Sequence, residues 1–137
     1  MHSDVLRAYV VEDNLVVREN LVAALQELTC VQVVGASATE ADGHRWLSEN
    51  LQAWDVVIVD LFLKAGTGLA LLTRIQRTRP GQKVIVFSNY VNQEVRKRCA
   101  MLGVDAVFDK STEIDALVDY CSRQCFEQAP PPPAPGR

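Results

Sequence analysis

Five short, almost wholly apolar runs recur along this chain, each followed by a stretch of helical spacing, and few folds satisfy that alternation. The runs are "VLRAYVV" (5–11), "VQVVGAS" (31–37), "DVVIVD" (55–60), "KVIVFSN" (83–89) and "VDAVF" (104–108). They are rich in β-branched residues and lack the apolar–polar alternation of a strand with one wet face, so each reads as a strand covered on both sides. Between them, apolar residues recur at steps of three and four. Val17, Leu21, Leu25 and Leu28 mark a helix over 14–28, and Leu47 and Leu51 the inward face of one opened by Thr39, with Asp42 as its capping-box partner. Gly68 to Thr78 reads as a third helix stopped by Pro80-Gly81. Val95, Cys99 and Leu102 mark a fourth over 92–102, ended by Gly103. Ile114, Leu117, Val118, Cys121 and Cys125 mark a fifth over 112–126. Strands alternating with helices imply a parallel sheet with helices on both faces. The expectation is an α/β fold: a five-stranded doubly wound parallel sheet, (βα)5, in the flavodoxin-like order 2-1-3-4-5.

The 137 residues suffice for one such domain, expected over 1–127. Residues 128–137, "QAPPPPAPGR", cannot continue a helix and are expected to form an extended, disordered tail or linker. A net charge of -3 suggests neither direct nucleic-acid binding nor attraction to an anionic membrane. No run is long enough to span a membrane and the N-terminus lacks a signal-peptide layout, so a cytoplasmic location is expected. The four cysteines, Cys30, Cys99, Cys121 and Cys125, form no CxxC pair. They are expected as buried thiols rather than as a metal site or a disulfide.

In a doubly wound sheet, ligands bind beyond the carboxyl ends of the strands. There this sequence has Glu12 and Asp13 after strand one, Asp60 after strand three, Ser88 at the end of strand four and Lys110 just after strand five. Three clustered carboxylates repel one another unless a cation sits among them, and oxygen ligands of this kind suit Mg²⁺. Such an ion would keep Asp60 ionised and offset charge on an incoming phosphoryl group. Lys110 and the Ser88 hydroxyl suit the phosphoryl oxygens. The set reads as an aspartate that accepts a phosphoryl group.

The stretches "VVEDN", "VIVDL", Gly68 eight residues after Asp60, "VFSN" and "GVDAVFDKS" together resemble the receiver domain of two-component response regulators, over residues 5–127. The resemblance implies that Glu12, Asp13, Asp60 and the backbone carbonyl of Phe62 hold Mg²⁺. Ser88 and Lys110 would contact the bound phosphoryl. The donor would be a phosphohistidine on a histidine kinase or phosphotransfer protein, and a downstream protein would dock on the face made by the fourth helix, fifth strand and fifth helix. That face carries Arg96, Lys97 and Arg98. A monomer or a phosphorylation-dependent dimer is implied.

The domain is expected to stand alone, the alternative being the receiver half of a longer transcriptional regulator. An aspartyl-phosphate phosphohydrolase would need a second carboxylate two residues after Asp60, and that residue is Phe62. No enzyme activity beyond weak self-dephosphorylation is expected.

Three positions depart from the common family pattern. Lys64 stands where a proline often follows the acceptor by four. Ser111 replaces the proline after the lysine; a cis bond there would cost about 2.5–4 kcal/mol, so trans is expected. Val107 occupies the usual place of a switch aromatic, and strand alternation turns the neighbouring Phe108 to the other face. The resemblance implies that Phe62 and Tyr90, two residues after Asp60 and Ser88, flank the path of an attacking water. Phe62 cannot orient one, so a long-lived phosphoryl group is expected.

Overall fold

The β-branched runs pair side by side because most supply apolar side chains to both faces of a sheet; the edge run 31–37, expected to be covered on both sides, instead leaves Gln32, Val34 and Ala36 exposed. The computed structural model describes residues 5–128. Ten elements alternate strictly: β1 (Leu6–Val11), α1 (Leu15–Leu28), β2 (Val31–Ser37), α2 (Glu40–Glu49), β3 (Val56–Val59), α3 (Gly68–Leu72), β4 (Lys83–Ser88), α4 (Gln93–Met101), β5 (Ala106–Asp109) and α5 (Ile114–Gln128). All neighbouring strands are parallel, in the order β2-β1-β3-β4-β5. The expected architecture is thus observed.

Strand pleating divides the core in two. Ala8, Val10, Ile58, Ile85 and Phe87 pack with Leu21 and Leu25 of α1 and Leu117, Val118 and Cys121 of α5. Tyr9, Val11, Val57, Val59, Val84 and Val86 pack on the other side with Leu47 of α2, Leu71 and Leu72 of α3, and Cys99 of α4. Four helices begin on capping side chains: Asn14, Thr39, Thr67 and Asn92 accept from the backbone N–H groups of Val17, Asp42, Ala70 and Val95. Each satisfies one of the amides that a helix start leaves without a partner.

Several local expectations need correction. The third helix does not reach Thr78; it stops at Leu72. The Thr73 hydroxyl turns back onto Ala70 O at 2.6 Å, and Arg74 N–H donates to Leu71 O, tightening the last turn. The buried Gln82 then replaces helical bonds: its Oε1 accepts from the Thr78 N–H, and its Nε2 donates to Leu51 O and Trp54 O. Leu28, expected on the core stripe of α1, is 67% exposed. The chain leaves the helix at Thr29, whose N–H and hydroxyl both donate to Leu25 O, and Cys30 and Val31 turn inward instead. Leu51 lies beyond the end of α2 and is only half-buried.

The cysteines also differ from expectation. Cys99 and Cys121 are buried thiols, but Cys30 and Cys125 form a disulfide, with Cα atoms 6.0 Å apart. The end of α1 and the last turn of α5 lie side by side on one face of the sheet, which brings together residues 95 apart in sequence.

The peptide before Ser111 is trans, as no cis bond occurs among the described residues. No helix among them is long and apolar enough to cross a membrane. Gln128, expected as the first residue of the tail, instead closes α5, and the rest of that tail, 129–137, lies outside the described residues.

Candidate functional site

Parallel register brings the carboxyl ends of β1, β3, β4 and β5 to one level. Val11 stands beside Val59, Val59 beside Val86, and Ser88 beside Asp109. The next residues out of the sheet therefore meet. Asp60 N–H donates to Val11 O, Glu12 N–H to Ser37 O and Lys110 N–H to Ser88 O, so these three backbones remain fixed one residue past their strands.

Asp60 and Glu12 are buried and Asp13 is half-buried at the rim. Burying a carboxylate without partners costs several kcal/mol or more, as an order of magnitude. Asp60 has a full set of partners. Its Oδ1 accepts from the Ser88 hydroxyl at 2.7 Å and from the Phe62 N–H at 3.1 Å, and its Oδ2 accepts from Lys110 Nζ at 2.7 Å. Lys110 also pairs with Glu12 Oε1, while Glu12 Oε2 accepts from the Asn14 N–H at 3.0 Å.

Burial pushes the Glu12 carboxyl up, although hydrogen bonds from Lys110 and the Asn14 N–H pull against that. Burial works against the charge of Lys110 too, but its bonds to Asp60 and Glu12 prevail and hold its pKa above the usual lysine value.

One oxygen from each of Glu12, Asp13 and Asp60 lies within 4.8 Å of the others. One ammonium stands against three carboxylates. The deficit of positive charge and the all-oxygen donor set fit a hard divalent cation such as Mg²⁺. The site therefore unites Glu12, Asp13, Asp60, Ser88 and Lys110, and Phe62 lines the same cleft of about 210 Å³.

At the mouth, Phe62 is 56% and Tyr90 82% exposed, and the two rings meet edge to face with centroids 6.1 Å apart. Tyr90 has φ 59°, a left-handed backbone that non-glycine residues seldom adopt. Gly68 has a steric reason. A Cβ there would lie 2.1 Å from the backbone oxygen of Asp60, so only glycine lets the start of α3 rest on the loop that presents the acceptor.

Away from the cleft, Val107 packs on the α4 side of the sheet and Phe108 on the α5 side, edge-on to Tyr120. Arg96, read from sequence only as part of a basic patch, donates to Val107 O and pairs with Glu113. Lys97 and Arg98 are exposed. Two contributors were not singled out in advance, Asn14 for its N–H on Glu12 and Glu113 for its bonds to the Asp109 N–H and Arg96. Asn14 carried a detectable signal, a capping residue two positions after Glu12. Glu113 carried none beyond its place at the start of a helix.

Residues 8–122 match a family model described as the response regulator receiver domain. A cyclic di-GMP phosphodiesterase of Thermotoga maritima is 30% identical over 108 residues, 79% of this chain and 28% of the relative. Ethylene receptor 3 of Oryza sativa subsp. japonica is 29% identical over 113 residues, 80% of this chain and 13% of the relative. The chain thus spans less than a third of the length of either. A DNA-binding response regulator of the LuxR family from Staphylococcus aureus superposes with a TM-score of 0.75 at 21% identity, covering 88% of this chain and 98% of that one. A CheY-like response regulator receiver domain protein from Methanospirillum hungatei JF-1 gives 0.72 at 22% identity, covering 90% and 96%. At such identities these likenesses speak to the fold.

Proposed function

The chain belongs to the response regulator receiver domain family, and on that premise we propose that it is a signalling switch whose Asp60 accepts a phosphoryl group from a phosphohistidine on a histidine kinase or phosphotransfer protein. One observation carries this reading: a buried aspartate is spanned by Ser88 Oγ on one oxygen and Lys110 Nζ on the other, beside two further carboxylates.

An Asp60 oxygen attacks phosphorus, the phosphorus–nitrogen bond to the donor imidazole breaks, and the leaving nitrogen retains the electron pair and takes up a proton. Ser88 and Lys110 then exchange the carboxylate for phosphoryl oxygens, so the donors that stabilise the empty acceptor also stabilise the product. Glu12, Asp13, Asp60 and the Phe62 carbonyl would hold Mg²⁺, which would supply positive charge to offset the phosphoryl oxygens.

The phosphorylated domain, as a monomer or a phosphorylation-dependent dimer, docks on a downstream protein through α4, β5 and α5, without binding nucleic acid directly. We assign it to the cytoplasm and to a domain over 1–127, with weak self-dephosphorylation as its only hydrolytic activity. A second reading, the receiver part of a longer regulator, is favoured by the small share of its relatives that the chain spans.

The test is intact mass after incubation with acetyl phosphate and Mg²⁺. One phosphoryl group should be gained, on the peptide containing Asp60, and none in the presence of a chelator. No gain, or a gain on a peptide lacking Asp60, overturns the assignment.

The Phe62–Tyr90 pair sets a second expectation. Phe62 has no polar group to orient an attacking water, the Tyr90 hydroxyl could help only by reaching back over the site, and both rings line the cleft and narrow the approach. The wild-type phosphoryl group should therefore decay more slowly than that of Phe62→Asn or Tyr90→Glu, read by mass over time. A wild type that decays as fast as either variant contradicts the shielding.

A further inference from the structure

Cys30 and Cys125 link the α1–β2 junction to the last turn of α5, on the sheet face that carries α1 and α5, and the phosphoryl chemistry makes no use of the bond. We propose that this pair is a reversible thiol–disulfide site, oxidised by a small disulfide such as glutathione disulfide and reduced by thiols, that clamps the C-terminal turn of α5 to the domain.

Four observations lead to this assignment. First, both bonded cysteines are only half-buried, so a small thiol or disulfide reaches them. Second, the other two are fully buried. Burial pushes their thiols up, Cys121 to about 12, so neither offers a thiolate near neutrality. Cys121 lies one helical turn from Cys125 yet does not compete for the bond.

Third, the core does not depend on the bond. Leu21, Leu25, Leu117, Val118 and Cys121 already fill the layer between sheet, α1 and α5, and Cys30 and Cys125 pack at its margin. The reduced thiols remain small apolar groups there, so the reduced domain stays folded.

Fourth, the turn that the bond holds is otherwise weakly held. Phe126 is 80% exposed, Glu127 is exposed and accepts from Gln124 Nε2 at 3.1 Å within the same turn, and Oε1 of the buried Gln124 has no hydrogen-bond partner among the described residues. A buried acceptor without a donor is a standing cost that opening this turn to water removes. In a compartment where glutathione keeps thiols reduced, a disulfide is transient and responsive rather than a permanent staple.

The chemistry balances. One cysteine thiolate attacks a sulfur of glutathione disulfide and releases one glutathione thiolate. The second cysteine attacks the protein-side sulfur of the mixed disulfide and releases the other. Two protein thiols lose two electrons, glutathione disulfide gains them, and the two thiol protons pass to the released glutathiones.

The test uses the purified full chain equilibrated across stepped ratios of reduced to oxidised glutathione, then acid-quenched, unfolded, alkylated and weighed. The wild type should move reversibly between four alkylated cysteines at the reducing end and two at the oxidising end, with Cys30 and Cys125 the unlabelled pair. Cys30→Ser should form no internal bond at any ratio. Hydrogen exchange over residues 122–127 should be about tenfold faster in the reduced chain and in Cys30→Ser, while the middle of α1 stays as protected as before. Four alkylated cysteines at every ratio mean no bond forms and overturn the proposal. So does a bond that survives excess dithiothreitol in the folded protein, or exchange over 122–127 that is the same in both redox states.

Discussion

Asp60→Asn should gain no phosphoryl group under conditions that label the wild type to completion, while remaining folded. Asparagine has the shape of aspartate and retains a carbonyl oxygen to accept from the Ser88 hydroxyl and the Phe62 N–H, both now on Oδ1. It loses the anionic oxygen that attacks phosphorus, and an amide is too weak a nucleophile to replace it. Lys110 loses one partner but retains Glu12, so no buried charge is stranded. The lost charge-assisted bond is worth about 1.5–3 kcal/mol, and relief of repulsion among the remaining carboxylates opposes that loss. The melting temperature should shift by only a few degrees in either direction. Intact mass and circular dichroism of the same sample read both halves of the expectation. A folded variant that labels as fully as the wild type removes Asp60 from the role.

The second large effect lies at the opposite end of the sheet. Asp55, buried just before β3, accepts from the Arg7 backbone N–H at 2.7 Å, from Arg7 Nε at 3.2 Å and from Arg79 Nη2 at 2.5 Å. Asp55→Ala leaves that backbone amide without its acceptor and two guanidinium groups without their carboxylate. Both arginines retain access to water at about a third of their surface, which moderates the loss. The cost is about 2–4 kcal/mol, or roughly 6–15 °C in melting temperature for a domain of this size.

The effect should depend on pH in a definite direction. Burial alone would raise the Asp55 carboxyl, but hydrogen bonds from Arg7 and Arg79 and the charge of Arg7 outweigh it and hold the pKa below the ordinary value. A group depressed in the folded state stabilises fully above its unfolded pKa of about 3.9 and loses that contribution as pH falls through the folded value. The gap between wild type and Asp55→Ala should be constant from neutrality to about pH 5 and narrow below pH 4. Thermal melts across that range check it, and a gap unchanged down to the pH at which the wild type unfolds contradicts the clamp.

The strands and the starts of most helices were legible because their causes act over four residues or fewer, and the sheet order followed from the strict alternation of strands and helices. β-Branched runs choose strands, apolar residues at steps of three and four choose helices, and Asn14, Thr39 and Asn92 start helices by bonding amides three positions on. The acceptor site was legible for a related reason. Once parallel strands are ordered, every residue just past a carboxyl end lies at the same edge, so Glu12, Asp60, Ser88 and Lys110 meet whatever packs behind them.

What stayed hidden depends on how finished layers rest on one another. Gln82 takes over from helical bonding after α3 through contacts with Leu51 and Trp54, beyond the end of α2. Lys110 proves to bridge Asp60 and Glu12 rather than wait for a phosphate alone. Asp55 gathers arginines 48 residues before it and 24 after it. Cys30 meets Cys125 across 95 residues only because α1 and α5 lie side by side on the same face of the sheet. Periodicity assigns a side chain to a face of its own element, but its partner across the core is chosen by where that element comes to rest. A polar or sulfur group at such a margin shows nothing in its neighbours along the chain to say whether it meets solvent, a charge or another sulfur.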